Sequence, residues 1–576
     1  MRQTKEHQAR YTKVSRKKTE GETYTPKALS DFVASSIVGE ISRPLNKGLR
    51  VLDPAIGDGE LIESLLRELH EETEESIDIF GFETNEIALV SARNRLEEAF
   101  PNDRFHLEAR SFLEYVASEF GGADDLFRGG IGEAFDLMIA NPPYVRTQVM
   151  GGAQSQILAR EFGLSGRVDL YYAFIVAMSR VLKPAGVAGI IVSNRFMSTK
   201  SGESVRRVIS EQFRIRHVWD LGDTKLFEAA VLPAVLLVEG LAKATLFEPA
   251  FSTVYETKDT PSSCVAGAIE ALSKEGVVEL ADGRRFRVQH GVLDTGAVAG
   301  SVWRLKTKAT DAWLDCVREH TWATFDYIGS IRVGVKTCAD KVFIRSDWET
   351  LQEDERPELV RPLITHHVAA RFKAKKEDKK KIGIIYPHCV VHGRRAAVNL
   401  AEYPRSKAYL EQHRDTLERR RYLIEAGREW YEIWVPQNPG DWELPKLVFR
   451  DIAEEPTFWI DLDGGIVNGD CYWVVPDCPE KESLLWLAVA VANSTFIEDF
   501  YDRRFNNKLY SGRRRFITQY VEKFPLPDPS SVSSKTIMSL ARLLYERVGK
   551  EDTQNVETQL DQLVWQSFGL EKEIRG

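Results

Sequence analysis

Val51-Leu52-Asp53-Pro54-Ala55-Ile56-Gly57-Asp58-Gly59 is a short apolar strand running into a glycine-bearing loop, and Glu60-Leu-Ile-Glu-Ser-Leu-Leu then opens a helical pattern. Few folds accept that order. Glycines after a first strand let backbone come close to a ligand, and the spacing is not the dinucleotide fingerprint G-x-G-x-x-G. Roughly 25 residues on, in keeping with one βαβ step, Ile77-Asp-Ile-Phe-Gly-Phe82 reads as a second strand. Strand-like runs follow from Arg104, Phe135, Gly186, Ile215 and Val231, and an amphipathic helix runs from Asp169 until Pro184 stops it. About seven strands alternating with helices predict an α/β fold, a doubly wound, mainly seven-stranded Rossmann-like sheet.

The run Phe135-Asp-Leu-Met-Ile-Ala140 ends in Asn141-Pro142-Pro143-Tyr144. The prolines fix φ and remove two backbone donors, so the carbonyls between them can point outward as acceptors. With the Asn141 side-chain carbonyl, that makes acceptors for both protons of a planar exocyclic amine. Tyr144 supplies a ring to stack on the plane that carries it. The chemistry suits transfer of a methyl group to an amino nitrogen on a flat group. A strand end followed by a proline turn is the plainer reading, and the order of the surrounding motifs favours the chemical one. Glu83, at the end of the second strand, is an ordinary surface carboxylate on its own; in this order it can accept both hydroxyl protons of a ribose. Thr25-Pro26 is good helix-start chemistry, with Thr25 as N-cap and Pro26 at the first helical position.

Thr25-Pro26, then Asp53-Pro54-Ala55-x-Gly57-x-Gly, then Asn141-Pro142-Pro143-Tyr144 is the motif order of the γ group of DNA amino-methyltransferases, and residues 21–245 resemble the TaqI-like type II adenine-N6 methyltransferase family. The resemblance implies S-adenosyl-L-methionine as cofactor. Asp53, Pro54, Ala55 and Gly57 would form its methionine-binding loop, and the Thr25 segment would close over the methionine part. Glu83 and Thr84 would take the ribose. Ser111 stands where the family usually has an Asp bonding the cofactor's adenine amino group, and Phe112 would flank that ring. Asn141, Pro142 and Tyr144 would be catalytic, with Asn141 and Pro143 also against the cofactor. Phe227 resembles the aromatic that packs on a flipped target base, though a core Phe is nearly as good a reading. The resemblance implies no metal.

The full chain has 576 residues, 43% hydrophobic and 28% charged, enough for two cores. The expected domains are a basic tail over 1–20, a catalytic domain over 21–300 and a mixed α+β DNA target-recognition domain over 301–576, with 250–305 read as the tail of the catalytic domain plus a linker. Six cysteines without a C-x-x-C pair argue against a disulfide framework or zinc site and fit a cytoplasmic protein. No apolar run approaches the ~18 residues a membrane helix needs, and Leu484–Ala492 reads as a core helix. No signal peptide is visible, because the first residues are polar and basic.

A net charge of −9 argues against a nucleic-acid partner until its distribution is considered. Residues 1–18 carry seven Lys or Arg against one Glu. Further basic runs lie at 371–381, at Arg419–Arg421 and over Arg503–Phe516, where Phe505, Tyr510 and Phe516 interleave with cations. Several such runs suggest a phosphate-tracking cleft for double-stranded DNA between the two halves. Phrases such as Ile328-Gly-Ser-Ile-Arg-Val-Gly334 and Trp430-Tyr-Glu-Ile-Trp434 resemble the target-recognition region of the same family. The expected protein is thus the modification half of a restriction-modification system, flipping an adenine out of the duplex and forming no stable complex with a separate restriction endonuclease. Cytosine-N4, RNA or protein-glutamine methylation are rival activities. A DNA-binding specificity protein with an inactive methyltransferase fold is the non-enzyme alternative.

Overall fold

The computed structural model describes residues 25–41, 48–120, 134–144, 152–165, 169–226, 232–241, 247–375, 382–505 and 513–572. Two compact units divide at 307/308.

In the first unit, β1 (Arg50–Asp53), β2 (Asp78–Phe82), β3 (Arg104–Glu108), β4 (Phe135–Ala140) and β5 (Leu182–Ser193) are parallel in the order β3-β2-β1-β4-β5. β7 (Pro233–Gly240) inserts antiparallel between β5 and β6 (Phe213–Asp220). Every residue of β4 and β7 is buried, as expected of strands covered on both faces. The chain starts at β1, winds outward to β3 and then crosses back to β4. The loops leaving β1 and β4 therefore diverge and open a crevice at the carboxyl ends of the strands. Helix α1 (Lys27–Gly39) lies tight against β5 at Gly189, where a Cβ would come within 2.6 Å of Val33 Cγ1. Glycine is what permits that approach.

Two local expectations fail. The helix that begins at Leu170 ends at Val181, before Pro184. Leu182 already pairs with Phe135 of β4, and the next paired residue is Val187, so Lys183–Gly186 bulge from the strand with Ala185 at φ 61. The stretch 250–305 belongs to the first unit, as a tail of the catalytic domain would, but strands take the place of the linker. β8 (Ala250–Glu256), β9 (Ser263–Val265), β10 (Gly276–Leu280), β11 (Arg285–Asp294) and β12 (Arg304–Lys306) extend the same sheet to twelve strands. β8 joins β6 in parallel and β11 joins β8 antiparallel, covering an edge that would otherwise offer unpaired backbone groups.

The second unit is mixed α+β. A five-stranded sheet holds Lys446–Arg450 between Phe458–Asp461 and Cys471–Val474, a four-stranded sheet holds Val360–Ile364 and Gly383–Ile385, and helices Leu484–Ala492, Val532–Arg547 and Gln554–Ser567 pack together. Leu484–Ala492 is buried except at Trp486, as a core helix should be. Among the described residues no helix is long and apolar enough to cross a membrane, and no group of His, Cys, Asp and Glu could hold a metal ion.

Several cations of this unit's basic runs are consumed by the fold. Arg514 is buried and donates to both Asp502 oxygens at 2.8 and 2.9 Å, with Glu498 at 3.3 Å. Arg515 forks onto Asp451 at 3.0 and 3.1 Å. Phe505 and Phe516 are core residues, and Arg503 lies over the Trp313 ring at 5.0 Å. Arg420 is buried and donates to the carbonyls of Thr337, Glu432 and Trp430. Arg371 donates to Asn493 O at 2.6 Å and pairs with Glu557 at 3.1 Å. Arg420 and Arg514 therefore cannot track phosphates, because folding has already supplied their acceptors. Tyr510, residues 376–381 and the basic tail 1–20 lie outside the described residues.

Candidate active site

The ends of β1, β2, β3 and β4 open onto one cavity of about 830 Å³. The loop after β1 is tied to the end of β2: Ile56 N–H donates to Phe82 O at 3.0 Å, and Gly57 N–H to Glu83 Oε2 at 3.2 Å. Gly57 has φ +53, and a Cβ there would meet nothing within 4 Å. Its backbone thus faces open space, and conformation rather than crowding asks for glycine. Pro54, Ala55 and Gly57 line the cavity from this side, Glu83 and Thr84 from the end of β2. Glu83 Oε1 accepts from Asn85 N–H at 2.8 Å. Two backbone bonds leave a carboxylate with acceptor capacity to spare.

Beyond β3, Ser111 Oγ accepts from Leu113 N–H at 3.3 Å and so caps the helix Phe112–Phe120. Ser111 and Phe112 both line the cavity. The Phe112 ring, with Phe82 at 5.5 Å and Phe174 at 6.0 Å, makes an aromatic wall. Phe174, Leu170, Ile87 and Arg110 are lining residues that the motif reading did not anticipate. For Phe174 the signal was present, in the apolar helix that starts after Asp169.

Asn141 follows β4 directly, and its Nδ2 donates to Thr25 Oγ1 at 2.9 Å. Thr25 is not the N-cap of α1. Pro26 holds that position and no side chain caps the helix, so the hydroxyl is spent on Asn141 instead. Thr25, Asn141 and Pro143 line the cavity, whereas Pro142, Tyr144 and Asp53 are not among its walls. Tyr144 meets Tyr171 edge-on at 6.0 Å. Its hydroxyl is enclosed without a hydrogen-bond partner among the described residues, and burial pushes it well above the usual phenol range. Asp53 is fully buried beneath the loop, where burial pushes its carboxyl up to about 7. The Ala55 N–H it accepts at 3.0 Å opposes that rise, and the Glu83 and Asp58 charges add to it. Phe227 lies outside the described residues.

Residues 64–227 match the Eco57I restriction-modification methylase family and residues 392–526 the TaqI-like C-terminal specificity domain. The chain is 37% identical over 580 residues to the type II methyltransferase M.BanIII of Aneurinibacillus aneurinilyticus, covering 97% of this chain and 98% of that protein. It is 24% identical to the type II methyltransferase M.BstVI of Geobacillus stearothermophilus, covering 96% of each. Its fold is similar to that of the type IIL restriction-modification enzyme MmeI, solved in complex with DNA, with a TM-score of 0.59 at 14% identity over 95% of this chain and 73% of that one. S-adenosyl-L-methionine is the cofactor. The cavity fits it: a carboxylate with acceptor capacity to spare, an aromatic wall and an exposed glycine backbone meet in a volume suited to a nucleoside-sized ligand. By its descent along nearly its whole length, the chain belongs to the type II methyltransferase family.

Proposed function

We propose that this enzyme methylates the N6 amino group of adenine in double-stranded DNA at a specific sequence, as the modification half of a restriction-modification system. The observation that carries the reading is Asn141, at the end of β4 in the cavity wall, with its amide held by Thr25 from 116 residues away. That hydrogen bond holds the amide nitrogen on the Thr25 hydroxyl and orients the side chain. Asn141 Oδ1 and the Pro142 carbonyl accept the two protons of the target amine and direct its lone pair. Tyr144 stacks on the base. Glu83 and Thr84 hold the cofactor's ribose, Phe112 and Ser111 its adenine, and Pro54, Ala55, Gly57 and Thr25 its methionine end. Asp53 acts from beneath the loop, by shaping it. Bound there, S-adenosyl-L-methionine supplies an activated methyl group. The protein's own contribution is orientation, which for two well-aligned reactants is worth on the order of 7–11 kcal/mol.

A base inside a duplex is out of reach, so the adenine must be flipped out, and Phe227 is the proposed aromatic that receives it. The match to a specificity domain over 392–526 supports a sequence-selective DNA partner. The working compartment is the cytoplasm, and a cognate endonuclease would act separately, without a stable complex. Cytosine N4 is the rival target, and Asn rather than Ser at 141 weighs against it. Nucleoside mass spectrometry of digested duplex DNA after incubation with enzyme and cofactor tests the reading. N6-methyladenine in one sequence context is expected. N4-methylcytosine alone, or methyl groups found only in RNA or protein, would overturn it.

A further inference from the structure

In the second unit, His388–Val391 and Arg394–Ala397 form a two-stranded antiparallel ribbon that pairs with no other strand among the described residues. His392 and Gly393 close it with φ 49 and 73, both left-handed, the geometry that matches a tight hairpin to strand twist. The ribbon is anchored at its base and bare at its tip. His388 is buried and its Nε2 accepts from Ile433 N–H at 3.0 Å. Tyr431 Oη donates to Val398 O at 2.8 Å just past the second strand. From Val390 to Arg395 every residue is exposed, and Val390 and Val391 keep 45% and 47% of their surface in solvent.

The tip is cationic. No acidic residue occurs between Tyr386 and Glu402, in a chain whose net charge is −9. Neither Arg394 nor Arg395 makes an ion pair or side-chain hydrogen bond among the described residues, in a unit where Arg332, Arg345, Arg405, Arg428, Arg514 and Arg515 all hold carboxylates. The register puts Val391 opposite Arg394 and Val390 opposite Arg395. Cross-strand partners share a face, so each face of the tip carries one arginine and one valine. The tip thus leaves much of two valines and both unpaired arginines in water.

We propose that this hairpin enters the DNA major groove and reads the recognition sequence, with Arg394 and Arg395 on base edges. The inference rests on duplex DNA being the substrate, whichever base is methylated. A two-stranded ribbon is one of the two elements the major groove admits. Arginine forks onto the guanine O6 and N7 acceptors, and an aliphatic side chain meets a thymine methyl. The unpaired charge complements phosphate on either side.

The test starts from the sequence that the wild-type enzyme methylates. Fluorescence anisotropy compares wild type, Arg394→Ala, Arg395→Ala and the double variant on a duplex carrying that sequence and on one with a single base pair changed. Sequencing of methylated plasmid reads out the motif each variant marks. Both arginines are exposed, so the variants should fold, and unchanged cofactor affinity checks that they do. Each lost base contact should reduce discrimination at one position by roughly 5- to 150-fold and relax the methylated motif there. Unchanged discrimination and motif in the double variant would overturn the proposal, even if overall affinity fell, because the arginines would then be phosphate contacts or a face for another partner. A wild-type enzyme that fails to bind duplex DNA at all would instead remove the functional reading on which the inference rests.

Discussion

Arg514-Arg515 and Arg394-Arg395 are the same dipeptide, the first a two-residue strand and the second the start of a four-residue one. The first pair lies beside Ile452–Ala453 and meets Asp502, Glu498 and Asp451, so both side chains are held within the unit. The second lies at a hairpin tip with no carboxylate on it. Reading runs of basic residues along the chain favours the first, which is longer and interleaved with aromatics. Folding reverses the ranking, because a guanidinium is available to a ligand only where tertiary structure brings no acid to it. The same distinction applies in the first unit. Thr25 looks like a helix cap and is spent on Asn141, while Asn141 faces the cavity.

Three substitutions press on that distinction. Asn141→Ala should reduce methyl transfer by on the order of 10²-fold or more, since misplacing a reactant slightly already costs that much. Thermal stability and cofactor affinity should stay near wild type. Tritiated-methyl incorporation alongside calorimetry measures both, and wild-type-like turnover would sink the assignment. Arg514→Met should do the reverse. It removes the buried guanidinium that Asp502 and Glu498 share, and breaking a buried pair costs about 3–5 kcal/mol. The urea midpoint should fall, while sequence discrimination by the protein that remains folded should not change. A stable Arg514→Met protein with impaired DNA binding would break the comparison with Arg394 and Arg395. The smallest effect is expected from Thr25→Val, which removes one hydrogen bond worth about 0.5–1.5 kcal/mol. The turnover rate should fall by roughly 2- to 12-fold, with Thr25→Ser restoring it. A loss as large as that of Asn141→Ala would mean that Thr25 does more than orient the amide.

What could be read along the chain was whatever neighbouring residues fix between themselves. Asp53-Pro54-Ala55-x-Gly57 and Asn141-Pro142-Pro143-Tyr144 stand out along the chain because proline and glycine set backbone conformation locally, and strand periodicity around them implies the doubly wound sheet. The extension over 250–305 was legible in part. Asp282-Gly283 joins β10 to β11 and is a hairpin signal, and Phe286 and Val288 alternate into the core. Pairing of β8 with β6 is not written in either strand, since any apolar strand could cover that edge. Tertiary structure alone decided that Pro142, Tyr144 and Asp53 do not line the cavity that Asn141 and Pro143 border, and that Arg420 and Arg514 are structural. It also decided that Thr25 reaches Asn141 across 116 residues. The physical reason is the same in each case. Conformational preference belongs to a residue and its neighbours, whereas burial and charge pairing belong to groups that meet only when the chain closes on itself.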